Sequence, residues 1–345
     1  MPNKLKYLFV FLTPLTVYLS FQMAGYWSFF AIVFNFGLLP FIELFTKGST
    51  ENFTKDQEDS LLKDKFFDGL LWLMVPLQYA LGLIFLYHIG NSTADLVYKI
   101  GITTAYGFSC GVLGINAAHE LGHRQTWYEQ FMSKALLLTT FYMHFFIEHN
   151  RGHHTHVSTD EDPASAKYGE TVYAFHWRSI WGSWWSAWAL ERKRLAIEKK
   201  PFWSLHNEMI VYQLFQLVLI VLIAYFFGIW SLCFYLAAAL IGVLLLETVN
   251  YIEHYGLRRE KKGQRYERTM PIHSWNSNHP IGRVVLLELS RHSDHHFLAN
   301  RKYQILRHHE DSPQMPTGYP GMMILALIPP LWFKVMHERI KRYKN

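Results

Sequence analysis

The sequence predicts an all-α polytopic membrane protein, and three observations predict it. Half of the 345 residues are hydrophobic and only 17% are charged. The apolar residues gather in long blocks rather than in the amphipathic stripes of a soluble helical core. Six blocks reach or approach the ~20 residues that a helix needs to cross a bilayer core, and the short connectors "MAGY", "GNSTAD" and "GIWS" between alternate blocks carry no Lys or Arg.

The first two blocks, about 6–22 and 27–46, are joined by the short "MAGY". No small-residue cleavage site follows the first block, so it is expected to be retained as a span rather than removed as a signal peptide. The third and fourth, about 67–88 and 100–118, are joined by "GNSTAD". The fifth and sixth, about 209–229 and 231–252, are joined by "GIWS". The remaining connections contain "KGSTENFTKDQEDSLLKDK", "ERKRLAIEKK" and "RREKKGQR". Positive charge is retained on the cytoplasmic side of a membrane, so both termini and the large loops are expected there. The net charge of +6 therefore reflects topology, and no nucleic-acid partner is expected. Cys110 and Cys233 both lie in apolar blocks, which offers neither a disulfide framework nor a CxxC metal site. No linker, repeat or low-complexity tract divides the chain, so residues 1–345 read as one integral-membrane domain.

A seventh apolar run, 131–147, would place its two flanks on opposite sides of the bilayer if it crossed. A re-entrant or interfacial helix is expected instead, because buried backbone at membrane depth is tolerated where protein surrounds it.

The polar residues that matter cluster at the predicted cytoplasmic boundary. Four segments stand out: "HELGH" (119–123), "EHNRGHH" (148–154), "NYIEHYG" (250–256) and "RHSDHH" (291–296). His119 and His123 are four apart, as are His149 and His153, with His154 adjacent; His292 is followed at three and four by His295 and His296. A helix puts residues at such spacings on one face. With His254 these make nine imidazoles, more than one ion can use. Two metals are the economical reading, and Fe, Zn, Cu and Ni all accept neutral imidazole. Glu120, Glu148, Glu253 and Asp294 each neighbour a proposed ligand and could hold its second N–H or offset the metals' charge. Arg151 and Arg291 could pair with these acids.

The pattern H-E-x-x-H in "HELGH" also fits a zinc protease, but a catalytic zinc needs only three protein ligands, and the motif's two histidines would leave the other seven unexplained. A metal transporter should place its ligands near the bilayer midplane, whereas these concentrate at one face. Oxygen chemistry on an apolar substrate remains, since unactivated C–H bonds offer nothing to a general acid, base or nucleophile.

On "HELGHR", "HFFIEHNRGHH", "EDPAS", "NYIEHYGLRR", "HSWNSNH", "RHSDHH" and "PTGYPGM", the chain closely resembles the integral-membrane alkane monooxygenases, relatives of the xylene monooxygenases and membrane fatty-acid desaturases. "NYIEHYG" points to the hydroxylase branch; Ser290 departs from a Gln common in the family. The resemblance implies a non-haem di-iron centre on His119, His123, His149, His153, His154, His254, His292, His295 and His296. It implies terminal hydroxylation of medium-chain alkanes to primary alcohols with O2. Electrons would come from rubredoxin, itself reduced by an NADH-dependent reductase. The chain lacks the cysteines of a fused rubredoxin, so the donor is expected to be separate, with the basic loop containing Arg258, Arg259, Lys261 and Lys262 as a docking surface. An inner-membrane location follows, with fatty-acid desaturation or ω-hydroxylation as the alternative within the superfamily. Asn35, a polar residue in the second block, is expected to face a substrate channel or a neighbouring helix.

Overall fold

The computed structural model describes residues 4–91 and 93–344, so Ser92 of the third connection lies outside the described residues, as do residues 1–3 and 345 at the termini. Among the described residues, six helices are long and apolar enough to cross a membrane: Lys4–Gln22, Gly25–Glu43, Lys65–Gly90, Leu96–Gly122, Glu208–Phe227 and Ile229–His254. The fourth and sixth run further than the apolar blocks suggested. The fourth carries His119 within its last turns, and His254 is the last helical residue of the sixth rather than lying beyond it. Among the described residues the only paired strands are Lys261–Lys262 and Arg265–Tyr266.

Local chemistry sets the helix ends. The Asp64, Asp95 and Asn207 side chains accept backbone N–H groups at the starts of the third, fourth and fifth spans, satisfying donors that have no partner within the helix. Gly228, at φ +85°, turns the chain between the fifth and sixth spans, a conformation that glycine alone adopts without steric cost. The fifth span exposes Leu214, Phe215, Leu217, Val218 and Leu222, as a lipid-facing helix should.

Packing at the centre depends on small residues. A Cβ on Gly242 of the sixth span would fall 2.6 Å from the Cys110 Cβ of the fourth, and one on Gly107 would fall 2.6 Å from the Ile241 Cβ. Close backbone approach of this kind holds membrane helices together without a hydrophobic driving force. Gly242→Val is expected to cost about 1–3 kcal/mol through overpacking, seen as a lower thermal midpoint of the detergent-purified protein. An unchanged midpoint would show that the two helices have room to spare.

The helix expected over 131–147 is corrected to two pieces. Trp127–Leu138 is helical. The Thr139 and Thr140 hydroxyls then donate to the Leu136 and Leu137 carbonyls at 2.7 and 2.9 Å, and Phe141 takes φ +53°. Helix resumes at Phe145 and passes at once into a wide π turn, Glu148–His153. A second π turn, Cys110–Asn116, precedes His119. Such turns recur at functional sites, where an inserted residue re-aims side chains.

A helix with no counterpart among the expected elements, Val172–Ile197, packs its buried stripe (Phe175, Ser179, Ser183, Ala187, Glu191) toward the sixth span and the Glu148–His153 turn. It thereby walls one side of the histidine-bearing segment.

Candidate metal centre

All nine predicted histidines converge, in two groups. Nitrogens of His119, His123, His149, His154 and His295 lie within 4.8 Å of one another; so do those of His153, His254 and His296, and His292 joins this second group through His254 and Glu253. Each group draws on several segments, so neither exists before the chain folds.

The division does not follow the spacing argument throughout. His119 and His123, four apart, share the first group as expected. His149 pairs with His154 rather than with His153, because the intervening turn is π-helical and brings residues five apart onto one face. His153 is thereby turned toward the second group. In the α-helix His292–Phe297, His292 and His296 keep the four-residue face while His295, between them, points to the first group. Adjacent histidines at 153–154 and 295–296 thus straddle the two groups and join them.

The nitrogens are spaced as ligands of shared ions. His123 Nε2 lies 3.3 Å from His119 Nε2 and 3.2 Å from His149 Nε2, which is 3.0 Å from His154 Nε2. In the second group His292 Nε2 lies 3.2 Å from His254 Nε2. Donors ~2.1 Å from one ion stand about 3.0–3.4 Å apart at octahedral to tetrahedral angles. Hydrogen bonding alone explains the contacts poorly: along the series 119–123–149–154, one N–H proton would have to serve two contacts. His153 Nε2 and both ring nitrogens of His295 and His296 are buried with no hydrogen-bond partner. Buried polar atoms left unpaired cost free energy, and a metal ion would satisfy them. The residues present fit such an ion.

Electrostatics support neutral imidazoles. Burial, with the neighbouring histidines, holds His149, His154, His292, His295 and His296 well below the usual range. Burial pushes His123 down to about 3. His153 is the exception: burial opposes its protonation, but the carboxylate of Asp162, backed by Glu148 and Glu253, raises it to about 8.

The carboxylates separate by what they touch. Glu253 sits in the second group, its Oε2 3.1 Å from His292 Nε2 and its Oε1 accepting the Tyr319 hydroxyl at 2.7 Å. Glu148 is buried beside His153, which favours its ionised form, while burial pushes its carboxyl up. Glu120 and Asp294, expected to hold a ligand's second N–H or to offset the metals' charge, contact none of the nine histidines. Glu120 pairs with Arg124 at 2.9 Å and accepts the Tyr303 N–H, because its side chain leaves the helix away from the His119–His123 face. Asp294 takes Arg301, the Arg307 N–H and His309, organising the loop that follows.

Arg151 pairs with Glu191 and Glu208, and Arg291 donates to the carbonyls of Ser49, Glu51 and Leu306. Both are struts rather than partners of the four acids. The residue that sequence reasoning missed is Asp162, whose Oδ2 lies 2.9 Å from His153 Nδ1.

A narrow, partly open cavity of about 80 Å³ runs to the metal centre. Asn35, Phe36 and Leu39 of the second span, Phe108 and Val112 of the fourth, and Leu245, Leu246 and Val249 of the sixth line its apolar length. His119 and His149 of the first group, and His292 and Glu253 of the second, line its far end. Asn35 is buried, its amide donating to the Thr16 hydroxyl and the Ala31 carbonyl, so it both lines the cavity and packs against its neighbours.

Comparison with known proteins agrees with this arrangement. Residues 96–337, which include all nine histidines, match the family described as fatty acid desaturase. The chain is 40% identical over 326 residues to alkane 1-monooxygenase 1 of Pseudomonas aeruginosa, covering 92% of this chain and 84% of that protein. It is 37% identical over 342 residues to alkane 1-monooxygenase 2 of Alcanivorax borkumensis, covering 96% and 88%. The xylene/toluene monooxygenase hydroxylase component of Pseudomonas putida is 27% identical over 323 residues, covering 92% and 84%. A multi-pass membrane protein with two histidine groups at the end of an apolar cavity, this chain belongs to the fatty acid desaturase family and, within it, to the alkane 1-monooxygenases.

Proposed function

We propose that the protein hydroxylates medium-chain n-alkanes at the terminal carbon, using O2 and a di-iron centre held by the nine histidines, with electrons from a separate rubredoxin. The observation that carries this reading is the cavity: its walls are apolar along the spans and it ends on histidines from both groups. A bound iron pair would supply the oxidising chemistry that an unactivated C–H bond requires. The chain's own residues do the rest. The five-histidine and four-histidine groups would each hold one ion, and Asp162 keeps the His153 Nδ1 proton in place so that Nε2 faces the second group. Phe36, Phe108, Leu245 and Val249 admit a hydrocarbon end-on and exclude water, leaving a terminal methyl nearest His119, His149 and His292.

The same reading places the centre on the cytoplasmic side of the inner membrane, where the Lys- and Arg-bearing loops lie. Segment 131–147 then does not cross the bilayer, which is supported by His119 and His149, from its two flanks, meeting in one group.

Purification with metal analysis, followed by assay with rubredoxin, its reductase, NADH and a panel of alkanes, tests the proposal. Two irons per chain and primary alcohols are expected; one zinc with peptide cleavage, or alkenes in place of alcohols, would replace it. Within that assay, Asn35→Trp is expected to fill part of the cavity and shorten the longest alkane accepted. An unchanged chain-length limit would remove Asn35 from the substrate path.

A further inference from the structure

We propose that the tryptophan-rich helix Val172–Ile197 carries an anionic phospholipid site. Its groove beds the glycerol and upper acyl chains against Trp184, Trp188, Phe202 and Trp203 and sets the Arg192 guanidinium on the phosphate.

The helix has two unlike faces. Opposite its buried stripe run Trp177, Trp181 and Trp185, spaced four apart and 72, 49 and 63% exposed. Three tryptophans on successive turns make a continuous apolar strip that water disfavours, yet the helix is not among those apolar enough to span a membrane. Indole rings are at home in the headgroup layer, where one edge is wet and the body apolar. A helix that packs on the protein by one face and offers its indoles to that layer by the other satisfies both facts.

Its C-terminal half is fixed beside a span. The Glu191 carboxylate accepts the Glu208 N–H at 2.8 Å, at the first residue of the fifth span, and Arg151 bridges Glu191 and Glu208. The groove lined by Trp184, Trp185, Trp188, Arg192, Phe202 and Trp203 therefore lies next to the start of that span.

Charge selects the occupant. The Arg192 guanidinium carbon lies over the Phe202 ring, 5.1 Å from its centroid, and among the described residues no carboxylate pairs with it, nor with Lys193 or Lys199. The nearby acids are already engaged, Glu191 by Arg194 and Arg151, and Glu198 by Arg194 and Lys200. A guanidinium without a carboxylate partner has N–H groups to offer a phosphate in bidentate contact. A groove beside the start of a span lies within reach of the headgroup layer, so a lipid would enter it by lateral diffusion.

Native mass spectrometry of the metal-loaded full chain, titrated with palmitoyl-oleoyl phosphatidylglycerol or phosphatidylcholine, tests the proposal. Selective retention of phosphatidylglycerol is expected, weakened about five-fold by Arg192→Gln, the worth of one cation near an anionic lipid. A diazirine-tagged phosphatidylglycerol should label peptides spanning 184–203, and Trp203→Ala should reduce that labelling while metal content stays at the wild-type level. Three results would each overturn the site: equal retention of both lipids with Arg192→Gln unchanged, full displacement of phosphatidylglycerol by inorganic phosphate, or a dimer that Trp203→Ala dissolves, which would put a second copy of the chain in the groove.

Discussion

His254→Ala is expected to lower the iron content from the proposed two per chain toward one and to reduce turnover by at least about 100-fold. The four-histidine group is the one with least to spare. Removing His254 leaves His153, His292 and His296, with Glu253 beside them, and the ring nitrogens that faced His254 become unpaired in a buried site. The five-histidine group is better supplied: His154→Ala leaves His119, His123, His149 and His295, four donors that can still close around an ion. His154→Ala should therefore retain nearer two irons than His254→Ala while also losing turnover, because His154 packs against His295 and His296 where the groups meet. Metal analysis and turnover on the same preparations separate the two effects. Full iron content and full activity in His254→Ala, or in His292→Ala, would break the proposed ligand set.

The spans were legible because membrane crossing imposes a length and a composition that sequence displays directly. Leu96–Gly122 and Ile229–His254 were underestimated at their histidine ends for the same reason, since hydropathy falls where the helix becomes functional while the backbone continues. The nine histidines were legible as a set because eight of them stand in clusters with helical intervals, and His254 is added by its place at the end of the sixth apolar block. Their partition was not, because it depends on the π turn Glu148–His153, which makes His154 and not His153 the partner of His149. Nothing in "EHNRGHH" distinguishes a turn of that width from an α-helical one. Sequence adjacency likewise misled for Glu120 and Asp294: on a helix the next residue points about 100° away, so a neighbour of a ligand is seldom on the ligand's face. The helix Val172–Ile197 escaped notice because its aromatic residues are interrupted by Arg, Ser and His and never form an apolar block.

Asp162→Asn is expected to lower metal affinity or turnover by about 10- to 100-fold, the range for removing a carboxylate behind a metal-binding histidine. Asp162 is buried and pinned from three sides: it takes His153 Nδ1 at 2.9 Å, the Ser165 hydroxyl at 2.5 Å and the Ala164 N–H at 3.0 Å. That geometry selects the imidazole tautomer with its proton on Nδ1 and leaves Nε2, buried and otherwise unpartnered, for an ion shared with His254 and His296. The carboxylate also makes the imidazole more basic, as the rise of His153 to about 8 records, and a more basic imidazole is a stronger ligand. Asparagine keeps the shape and an accepting oxygen but removes the charge, so the ring should stay in place while its donor strength falls; Asp162→Ala, which removes both, should lose more. Asp294→Asn is the matched control: it is also a buried carboxylate, and it stands next to His295 in sequence, but it holds Arg301, Arg307 and His309. If adjacency in sequence governed ligand tuning, Asp294→Asn would release metal to a chelator faster than Asp162→Asn. The contacts require the reverse order, and chelator-competition curves for the two variants decide between them.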